Sequence, residues 1–345
     1  MQPVAFNPAR ILVVGPSWVG DMVMAQSLFK LLKERYAKVV IDVFAPVWSE
    51  PLLLRMPEVT EAITMPLEHG ELRLKERYRL GRSLRAKAYD QAIILPNSLK
   101  SALVPFWADI PVRTAYVGEW RWGLINDIRH LDKSVLPMTV QRFLALGIVA
   151  NEALPMTPLP SLKVMPDDVS AALTRLKLIR RPEQALLALC PGAEYGSAKR
   201  WPAEYFAEIA KAKLAEGWAV WLFGSEKDAA ITAKVGALAG KGCIDLAGRT
   251  TLAEAIDLLS LAELVITNDS GLMHVAAALK RKIIAIFGSS DPHATPPLNN
   301  EAHILSLDLE CSPCLQRTCP LGHMNCLRLL KPEQVMNKMV EVLHE

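Results

Sequence analysis

The stretch that most constrains the fold lies near the start of the chain and reads Ile11-Leu12-Val13-Val14-Gly15-Pro16-Ser17-Trp18-Val19-Gly20-Asp21-Met22. It predicts a short buried strand, a glycine-flanked loop and the first turn of a helix, where unpaired N–H groups and the helix dipole suit an anion. The glycines have the spacing of the phosphate-binding pattern G-x-x-x-x-G-K-[ST], but Asp21 replaces the lysine. Ser17 likewise breaks the dinucleotide pattern G-x-G-x-x-G. Asp21 is therefore predicted to be either a helix N-cap or a catalytic group, and not part of a phosphate grip.

The length and composition predict a globular protein of two domains. The chain has 345 residues, of which 51% are hydrophobic and 22% charged, and a single hydrophobic core rarely grows that large. No uncharged apolar run reaches the roughly 18–20 residues needed to cross a bilayer, so we expect a cytoplasmic protein without a transmembrane segment. The formal net charge of +3, and the lack of a basic motif interleaved with aromatic residues, argue against nucleic acid as a partner.

One segment, residues 71–87, concentrates positive charge. Leu72, Leu80 and Leu84 lie between its basic residues, which fits an amphipathic helix with a cationic face. Such a face either is simply solvated or contacts anionic lipid headgroups or an anionic acceptor.

Both halves of the chain alternate between short apolar runs and segments with helical periodicity, which predicts parallel sheets covered by helices. Four prolines within residues 155–166 interrupt this alternation and are typical of a linker. We therefore predict an α/β protein with two doubly wound, Rossmann-like domains facing each other across a cleft. The domains are predicted at residues 1–165 and 166–330. Residues 331–345 are predicted to form a last helix that could pack on either domain, including back on the first.

The clearest motif of the second half is a buried strand that ends in Asp269 and continues through Ser270 and Gly271 into a helix. At a strand end, Asp269 could accept hydrogen bonds from a ribose diol, and the N–H groups of Ser270 and Gly271 suit a diphosphate. His274 lies one turn further on the same helix face. The alternatives are an N-cap for Asp269 and a buried histidine without a catalytic role for His274.

Two further loops follow strands of the second half. The first contains Gly192 and Ala193, small residues that let the backbone approach a ligand. It also contains Lys199, a cation that could neutralise a diphosphate without a metal. The second contains Glu226, which could reach a base or a ribose. A fourth loop, residues 287–292, closes the series at another strand end. Together the four loops predict a nucleotide site in the second domain.

The first domain offers a different chemistry. Asp21 could take a proton from a sugar hydroxyl, whose oxygen would then attack the sugar carbon while the diphosphate leaves. Gly20 lets the loop bring this carboxylate close to an acceptor. Basic residues that could hold an acidic acceptor follow later in the domain: Lys100, Arg113, Arg121 and Arg129.

Four of the six cysteines lie near the end of the chain. They are Cys311, Cys314, Cys319 and Cys326, with His323 among them. The ligand types resemble a structural zinc site, although the spacing of the second pair is not that of a standard ribbon or finger. The alternative is a packed loop of reduced thiols, because cytosolic proteins rarely form disulfides. We predict no metal at the catalytic site.

Four stretches resemble the lipopolysaccharide heptosyltransferases, the type II enzymes in particular: G-P-S-W-V-G-D-M (15–22), L-P-N-S-L-K-S (95–101), P-G-A-E with K-R-W-P (191–202) and T-N-D-S-G-L-M-H (267–274). They occur in both halves of the chain. The resemblance implies a GT-B fold and metal-independent transfer of L-glycero-D-manno-heptose from ADP-heptose, with inversion and without a cofactor. The implied acceptor is the first heptose of the Kdo-lipid A inner core, at the inner face of the cytoplasmic membrane.

The resemblance also assigns roles to residues. Asp21 matches the general base of the family, and Lys199 matches the lysine on the donor diphosphate. Glu226 fits less firmly. The ADP-sugar motif of the family is matched by Asp269, Ser270, Gly271 and His274.

Three alternatives share parts of these patterns. A type I or III heptosyltransferase would have the same donor site and a different acceptor. A nucleotide-dependent oxidoreductase is disfavoured by the missing glycine fingerprint. A non-catalytic protein could bind a nucleotide sugar with the same loops.

Overall fold

The computed structural model describes residues 7–67 and 71–344. The chain divides into two compact units, Met1–Pro160 and Ser161–Glu345. The division lies inside the proline-rich stretch, five residues before the predicted boundary between residues 165 and 166. Each unit is built on a six-stranded sheet.

The first unit alternates strands and helices in the predicted manner. Its elements are β1 (Arg10–Val14), α1 (Val19–Arg35), β2 (Val40–Pro46), α2 (Glu50–Leu53), β3 (Glu61–Met65), α3 (Leu74–Leu84), β4 (Gln91–Ile94), α4 (Leu99–Trp107), β5 (Val112–Tyr116), β6 (Asp127–Arg129) and α5 (Thr139–Leu146).

The second unit repeats the alternation. Its elements are α6 (Pro166–Leu176), β7 (Leu186–Cys190), α7 (Ala203–Ala215), β8 (Ala219–Leu222), α8 (Ala229–Ala239), β9 (Cys243–Asp245), α9 (Leu252–Leu259), β10 (Leu264–Asn268), α10 (Gly271–Ala278), β11 (Lys282–Ile286), β12 (Ala302–Leu305), α11 (Asn325–Arg328) and α12 (Pro332–His344).

Both sheets have the same doubly wound topology. The strand orders are β3-β2-β1-β4-β5-β6 and β12-β11-β10-β7-β8-β9, and all paired strands run parallel. In each unit the first strand is central, two strands follow on one side, and the chain then crosses to the other side. The central strands β1 and β7 are apolar runs buried on both faces, as expected for sheets covered by helices.

The last helix belongs to the second unit. α12 packs against α7 and β11, and its Val335, Met339 and Val342 lie in the same buried cluster as Trp201. Lys282 Nζ also donates a hydrogen bond of 2.7 Å to the Val342 carbonyl. Of the two placements considered, the structure shows the helix on the second domain, where its apolar face is buried in the core.

The basic segment forms α3, but not with the predicted faces. Leu84 is buried as expected, whereas Leu72 precedes the helix and is 48% exposed. Arg77 lies inside the unit, where its guanidinium donates to the carbonyls of Leu72, Glu71 and Lys100. The cationic face thus lacks one of its predicted charges, because unpaired backbone carbonyls bind the Arg77 guanidinium inside the fold.

Substitutions in α12 test its role in the second core. Met339 is 1% exposed and Val340 is 56% exposed, although they are neighbours on one helix. We expect Met339→Ala to lower the free energy of unfolding by about 2–5 kcal/mol, because it leaves a cavity. The control Val340→Ala should change it by less than about 0.5 kcal/mol. Urea unfolding followed by circular dichroism measures both values, and equal effects would contradict the packing described.

Candidate active site

Each sheet has one place where loops from adjacent strands diverge. In the first unit it lies between β1 and β4, and in the second between β7 and β10. Ligands of doubly wound sheets bind at the carboxyl ends of the strands at this switch point. The sequence motifs follow these four strands, so the topology brings them to the edges where binding is expected.

Asn268 joins the two loops of the second switch point. Its side chain is fully buried. Its Oδ1 accepts a hydrogen bond of 3.0 Å from the Trp201 backbone N–H, and its Nδ2 donates one of 2.7 Å to the Pro191 carbonyl. A buried amide with both ends bonded holds the loops in one arrangement. The loop after β7 is therefore bound at both its start and its end to the end of β10.

In this arrangement an ion pair forms between the loop after β7 and the loop after β10. Lys199 Nζ lies 2.5 Å from Asp269 Oδ2, and their side chains are 17% and 6% exposed. The ammonium group also lies 5.0 Å from the centre of the Tyr195 ring. A partly buried cation is less screened by water than a surface lysine. The pair can supply a positive charge to a phosphate and a carboxylate oxygen to a hydroxyl donor.

His274 lies behind this pair and is buried. Burial lowers the pKa of its imidazole to about 4, while the Asp269 carboxylate opposes the shift and the Lys199 ammonium adds to it. The side chain is therefore neutral at pH 7. A neutral imidazole can donate or accept a hydrogen bond, but it contributes no charge to the site.

Asp228 is a structural residue of the site that sequence reasoning missed. Its carboxylate accepts hydrogen bonds from the backbone N–H and the hydroxyl of Ser225, at 3.0 and 2.8 Å. An added Cβ on Gly192 would lie 2.4 Å from this carboxylate, and one on Gly224 would lie 2.7 Å from the Asp228 Cβ. The two glycines thus let the loops after β7 and β8 close around Asp228. The signal was the capping pattern S-x-x-D at residues 225–228.

The remaining predicted donor residues lie around the same edge. Ser270 is the N-cap of α10 and Gly271 is its first residue. Ala193 is buried, and its carbonyl accepts a hydrogen bond of 3.1 Å from Arg200. Glu226 is exposed at the end of the loop after β8. These positions agree with the predicted strand-end placement, and their contacts with a donor stay predictions.

Two buried serines lie in the loop after β11, which the sequence already placed among the strand-end loops of the second half. Ser289 and Ser290 are 1% and 7% exposed, and neither hydroxyl has a hydrogen-bond partner among the described residues. An unpaired buried hydroxyl costs free energy unless a ligand or water satisfies it.

In the first unit, Asp21 is the third residue of α1 and is partly exposed. The N-cap is Trp18, and it makes no side-chain capping bond. The simple N-cap interpretation of Asp21 is therefore wrong, although its charge in the first turn still favours the helix. Gly20, the second residue, precedes it in the same turn.

Lys100 is the predicted acceptor residue with the most accessible charge. It is the second residue of α4, which begins just after β4, and its side chain is partly exposed. Within the described chain, no carboxylate pairs with its ammonium group. A lysine beside a helix N-terminus adds to the positive potential there, and the Glu119 carboxylate already accepts a hydrogen bond of 3.1 Å from the Leu99 N–H at this end of α4.

The two predicted acceptor arginines have partners inside the fold. Arg121 is 1% exposed. Its guanidinium donates to the carbonyls of Pro96 (2.7 Å) and Tyr116 and to Asn97 Oδ1 (3.2 Å). It therefore holds the loops after β4 and β5 together.

Arg113 lies near the start of β5 rather than after its end. Its side chain donates to the carbonyls of Leu124 and Ile110, both at 2.6 Å. Arg129 is similarly engaged by Asp127 at 2.9 Å. The expectation that these arginines hold an acceptor rested on charge alone, and backbone and carboxylate oxygens of the unit already occupy their donors.

The cysteine cluster does come together. Cys311, Cys314, Cys319, Cys326 and His323 all line one cavity of about 20 Å³, and the four cysteines form no disulfides. Among the described residues, however, no group of three or more histidine, cysteine or acidic side chains is arranged to hold a metal ion. The four cysteines lie together as free thiols in this structure, and the structural zinc site stays a prediction.

Comparisons with known proteins agree with this fold. The family model described as glycosyltransferase family 9 (heptosyltransferase) matches residues 77–325. The lipopolysaccharide heptosyltransferase 2 of Salmonella typhimurium is 46% identical, covering 97% of this chain and 99% of that protein. The lipooligosaccharide heptosyltransferase 2 of Haemophilus ducreyi is 45% identical over 97% and 99%. The solved structure of Escherichia coli ADP-heptose lps heptosyltransferase II matches with a TM-score of 0.86 and 43% identity, over 97% and 98%. The match confirms the predicted α/β fold of GT-B type.

His274 predicts a pH dependence of stability. Its folded-state pKa of about 4 lies below the ~6.5 of an unperturbed histidine. Between these values the unfolded chain binds a proton that the folded chain excludes. The free energy of unfolding should therefore fall with decreasing pH, by up to about 1.4 kcal/mol per pH unit from this group.

The measurement is urea unfolding between pH 7 and pH 4.5 of the wild type and of His274→Gln. The variant should lack this part of the slope, whereas His130→Gln, at an exposed position of the first unit, should keep it. Identical slopes for the wild type and His274→Gln would contradict the assignment.

Proposed function

Because this chain belongs to glycosyltransferase family 9 (heptosyltransferase), we propose that it transfers L-glycero-D-manno-heptose from ADP-heptose to heptose I of Kdo-lipid A, as a type II enzyme. The observation that carries the proposal is the Lys199–Asp269 pair at the switch point of the second sheet. A nucleotide sugar needs both a cation for its diphosphate and a carboxylate for its hydroxyl groups. The near full-length relatives of this chain that carry the type 2 name support the choice of acceptor.

In this proposal the second unit binds the donor. Lys199 neutralises charge on the diphosphate, and Asp269 accepts hydrogen bonds from sugar hydroxyls. The unpaired N–H groups at the start of α10, after Ser270, lie at the positive end of the helix dipole. They are therefore suited to donate hydrogen bonds to the negatively charged diphosphate. Gly192 and Ala193 form a backbone surface against which the donor can lie, and Glu226 lies where it could reach the nucleoside.

The first unit supplies the base. Asp21 takes the proton from the acceptor hydroxyl, and the hydroxyl oxygen forms a bond to the anomeric carbon of the donor heptose. The bond from that carbon to the diphosphate oxygen breaks, and its electron pair leaves with ADP. Attack from the side opposite the leaving group inverts the anomeric configuration. Lys100 is the proposed contact for negative charge on the acceptor.

The reaction so described needs no metal ion. The charge that develops on the departing diphosphate is met by the ammonium group of Lys199, which is held ready by Asp269. A preorganised cation in a partly buried site stabilises such charge without rearrangement in the transition state. We therefore propose that chelators leave the transfer rate unchanged.

The acceptor determines where the enzyme works. Kdo-lipid A is anchored in a membrane, so we propose a cytoplasmic enzyme bound peripherally at the inner face. The described residues contain no helix that is both long and apolar enough to cross a bilayer. Exposed basic residues on and beside α3 are the proposed contacts with anionic lipid: Arg73, Lys75, Arg79 and Arg82.

An acceptor assay tests the proposed function. With ADP-heptose as donor, we expect transfer to Kdo-lipid A that already carries one heptose, and none to the heptose-free acceptor. Mass spectrometry of the product measures the addition of one heptose. Transfer to the heptose-free acceptor would instead indicate a type I enzyme, and binding of ADP-heptose without transfer to either acceptor would indicate a non-catalytic protein.

Substitution of Asp21 tests the base. We expect Asp21→Asn to lower kcat by about 10²-fold or more while ADP-heptose still binds, because only the proton transfer is lost. The control is Glu34→Gln, an exposed acid near the other end of α1, which should retain wild-type turnover. Lys199→Ala should differ from both by weakening donor binding as well as kcat. Unchanged kcat in Asp21→Asn would remove the base assignment.

A further inference from the structure

The cysteine-rich segment, residues 310–324, has no part in the function proposed above, yet it packs against the donor loops. The Arg317 carbonyl accepts a hydrogen bond of 3.1 Å from Ala198 N–H. The Leu315 carbonyl accepts one of 3.0 Å from the Tyr195 hydroxyl. On its other side, Leu315 N–H donates to the Ser289 carbonyl at 2.7 Å. The segment therefore bridges the loop that bears Lys199 and the loop after β11.

The contact between segment and loop is close enough to exclude a side chain. A Cβ added to Gly196 would overlap the carbonyl oxygen of Arg317. Gly196 has an extended backbone, with φ at 163°, so the requirement for glycine there comes from this contact and not from backbone strain. The segment is thus packed backbone to backbone against the loop, three residues before Lys199.

Two cations meet at one aromatic ring in this contact. Lys199 Nζ lies 5.0 Å from the centre of the Tyr195 ring, and Arg317 Cζ lies 4.9 Å from it. Both distances are within the range of cation–π attraction. Tyr195 is itself fixed by its hydroxyl bond to the segment. The same ring therefore contacts the lysine of the donor loop and the arginine of the cysteine-rich segment.

The charges at this place do not balance. Lys199 is paired with Asp269, and the nearby Glu194 is paired with Lys227 at 2.6 Å. Within residues 7–67 and 71–344, no carboxylate pairs with Arg317, whose side chain is exposed. The unmatched positive charge of Arg317 adds to the positive potential near Lys199. A ligand with a negatively charged group fits this potential.

We propose that Arg317 is a second donor-binding cation, which contacts the diphosphate of the nucleotide sugar beside Lys199, and that Tyr195 is the positioning residue for both. The inference rests on the proposed function, because it assumes that Lys199 contacts the diphosphate. A guanidinium can bind two phosphate oxygens at once, whereas lysine acts as a point charge. The guanidinium and the ammonium group therefore make different kinds of contact with the same ligand.

The packing of the four thiols explains how an exposed segment can keep Arg317 in a fixed position. Cys311 and Cys314 precede Arg317, and Cys319 and Cys326 follow it, and all four line the same small cavity. The segment thus has its own packed interior on both sides of Arg317. This gives the cysteine cluster a function in the fold, since it presents the arginine at the donor loop.

The test measures the binding of ADP, AMP and adenosine by calorimetry to the wild type and to Arg317→Ala. We expect ADP affinity to fall about tenfold or more, the size of one lost charge-assisted contact, AMP affinity to fall less, and adenosine affinity to stay unchanged. Arg317→Lys should recover part of the loss. The control Lys241→Ala removes one exposed positive charge between α8 and β9, at the opposite edge of the sheet, and should bind ADP like the wild type.

Two further variants separate binding from positioning. If Arg317 contacts the diphosphate itself, Arg317→Ala should still weaken ADP binding when made in a Lys199→Ala background. If it acted only by holding Lys199, the effect would vanish there, and the assignment as a donor-binding residue would be overturned. Tyr195→Leu, which removes the ring, should weaken ADP binding more than Tyr195→Phe, which keeps it.

The outcomes distinguish this inference from the function on which it rests. A wild type that transfers heptose and binds ADP, with Arg317→Ala indistinguishable from it, overturns the inference alone. An equal loss of adenosine and ADP affinity in Arg317→Ala also overturns it, because that loss is not specific to phosphate. A wild type that binds neither ADP nor ADP-heptose overturns both. Thermal melting of each variant checks that its fold is retained.

Discussion

The proposed donor site depends on one buried side chain, that of Asn268. Its amide bonds to the Pro191 carbonyl and to the Trp201 N–H, so it holds the two ends of the loop that bears Lys199. The hydrogen bonds of a buried amide are directional and costly to leave unmade. The Lys199–Asp269 pair, the position of Tyr195 and the contact with the cysteine-rich segment all follow from the path that this loop takes.

The two sheets share a topology but differ in what their switch points present. In the second unit, Lys199 in the loop after β7 is paired with Asp269, and Arg317 of the cysteine-rich segment, which pairs with no carboxylate among the described residues, contacts Tyr195 of the same loop. In the first unit, Asp21 lies in the first turn of α1, and Lys100 lies in the first turn of α4. A transfer from a diphosphate-bearing donor needs both kinds of group. The division of the chain into two units therefore matches the division of chemical tasks that we propose.

The positions of basic residues in the sequence were a poor guide to function, because the fold binds several of these side chains internally. Arg77, Arg113 and Arg121 all read as surface cations, yet each donates to backbone carbonyls within the first unit. Arg317 was not noticed in the sequence at all, although its guanidinium lies beside the donor loop. An arginine can satisfy several carbonyls at once, so its location depends on which carbonyls the fold leaves unpaired. Neighbouring residues along the chain do not reveal this.

The sequence by itself determined the α/β class, the alternation of the central strands and helices, and the strand-end positions of Asp21, Lys199 and Asp269. These follow from local patterns, because apolar runs and helical periodicity depend on neighbours within a few residues. The edge strands β3, β6, β9 and β12 were not foreseen, since their partly exposed residues carry no such pattern. Only the tertiary structure decided the partners of Asn268, Asp228, Arg121 and Arg317 and the docking of α12. Each depends on groups far away in sequence, which strand order and packing bring together.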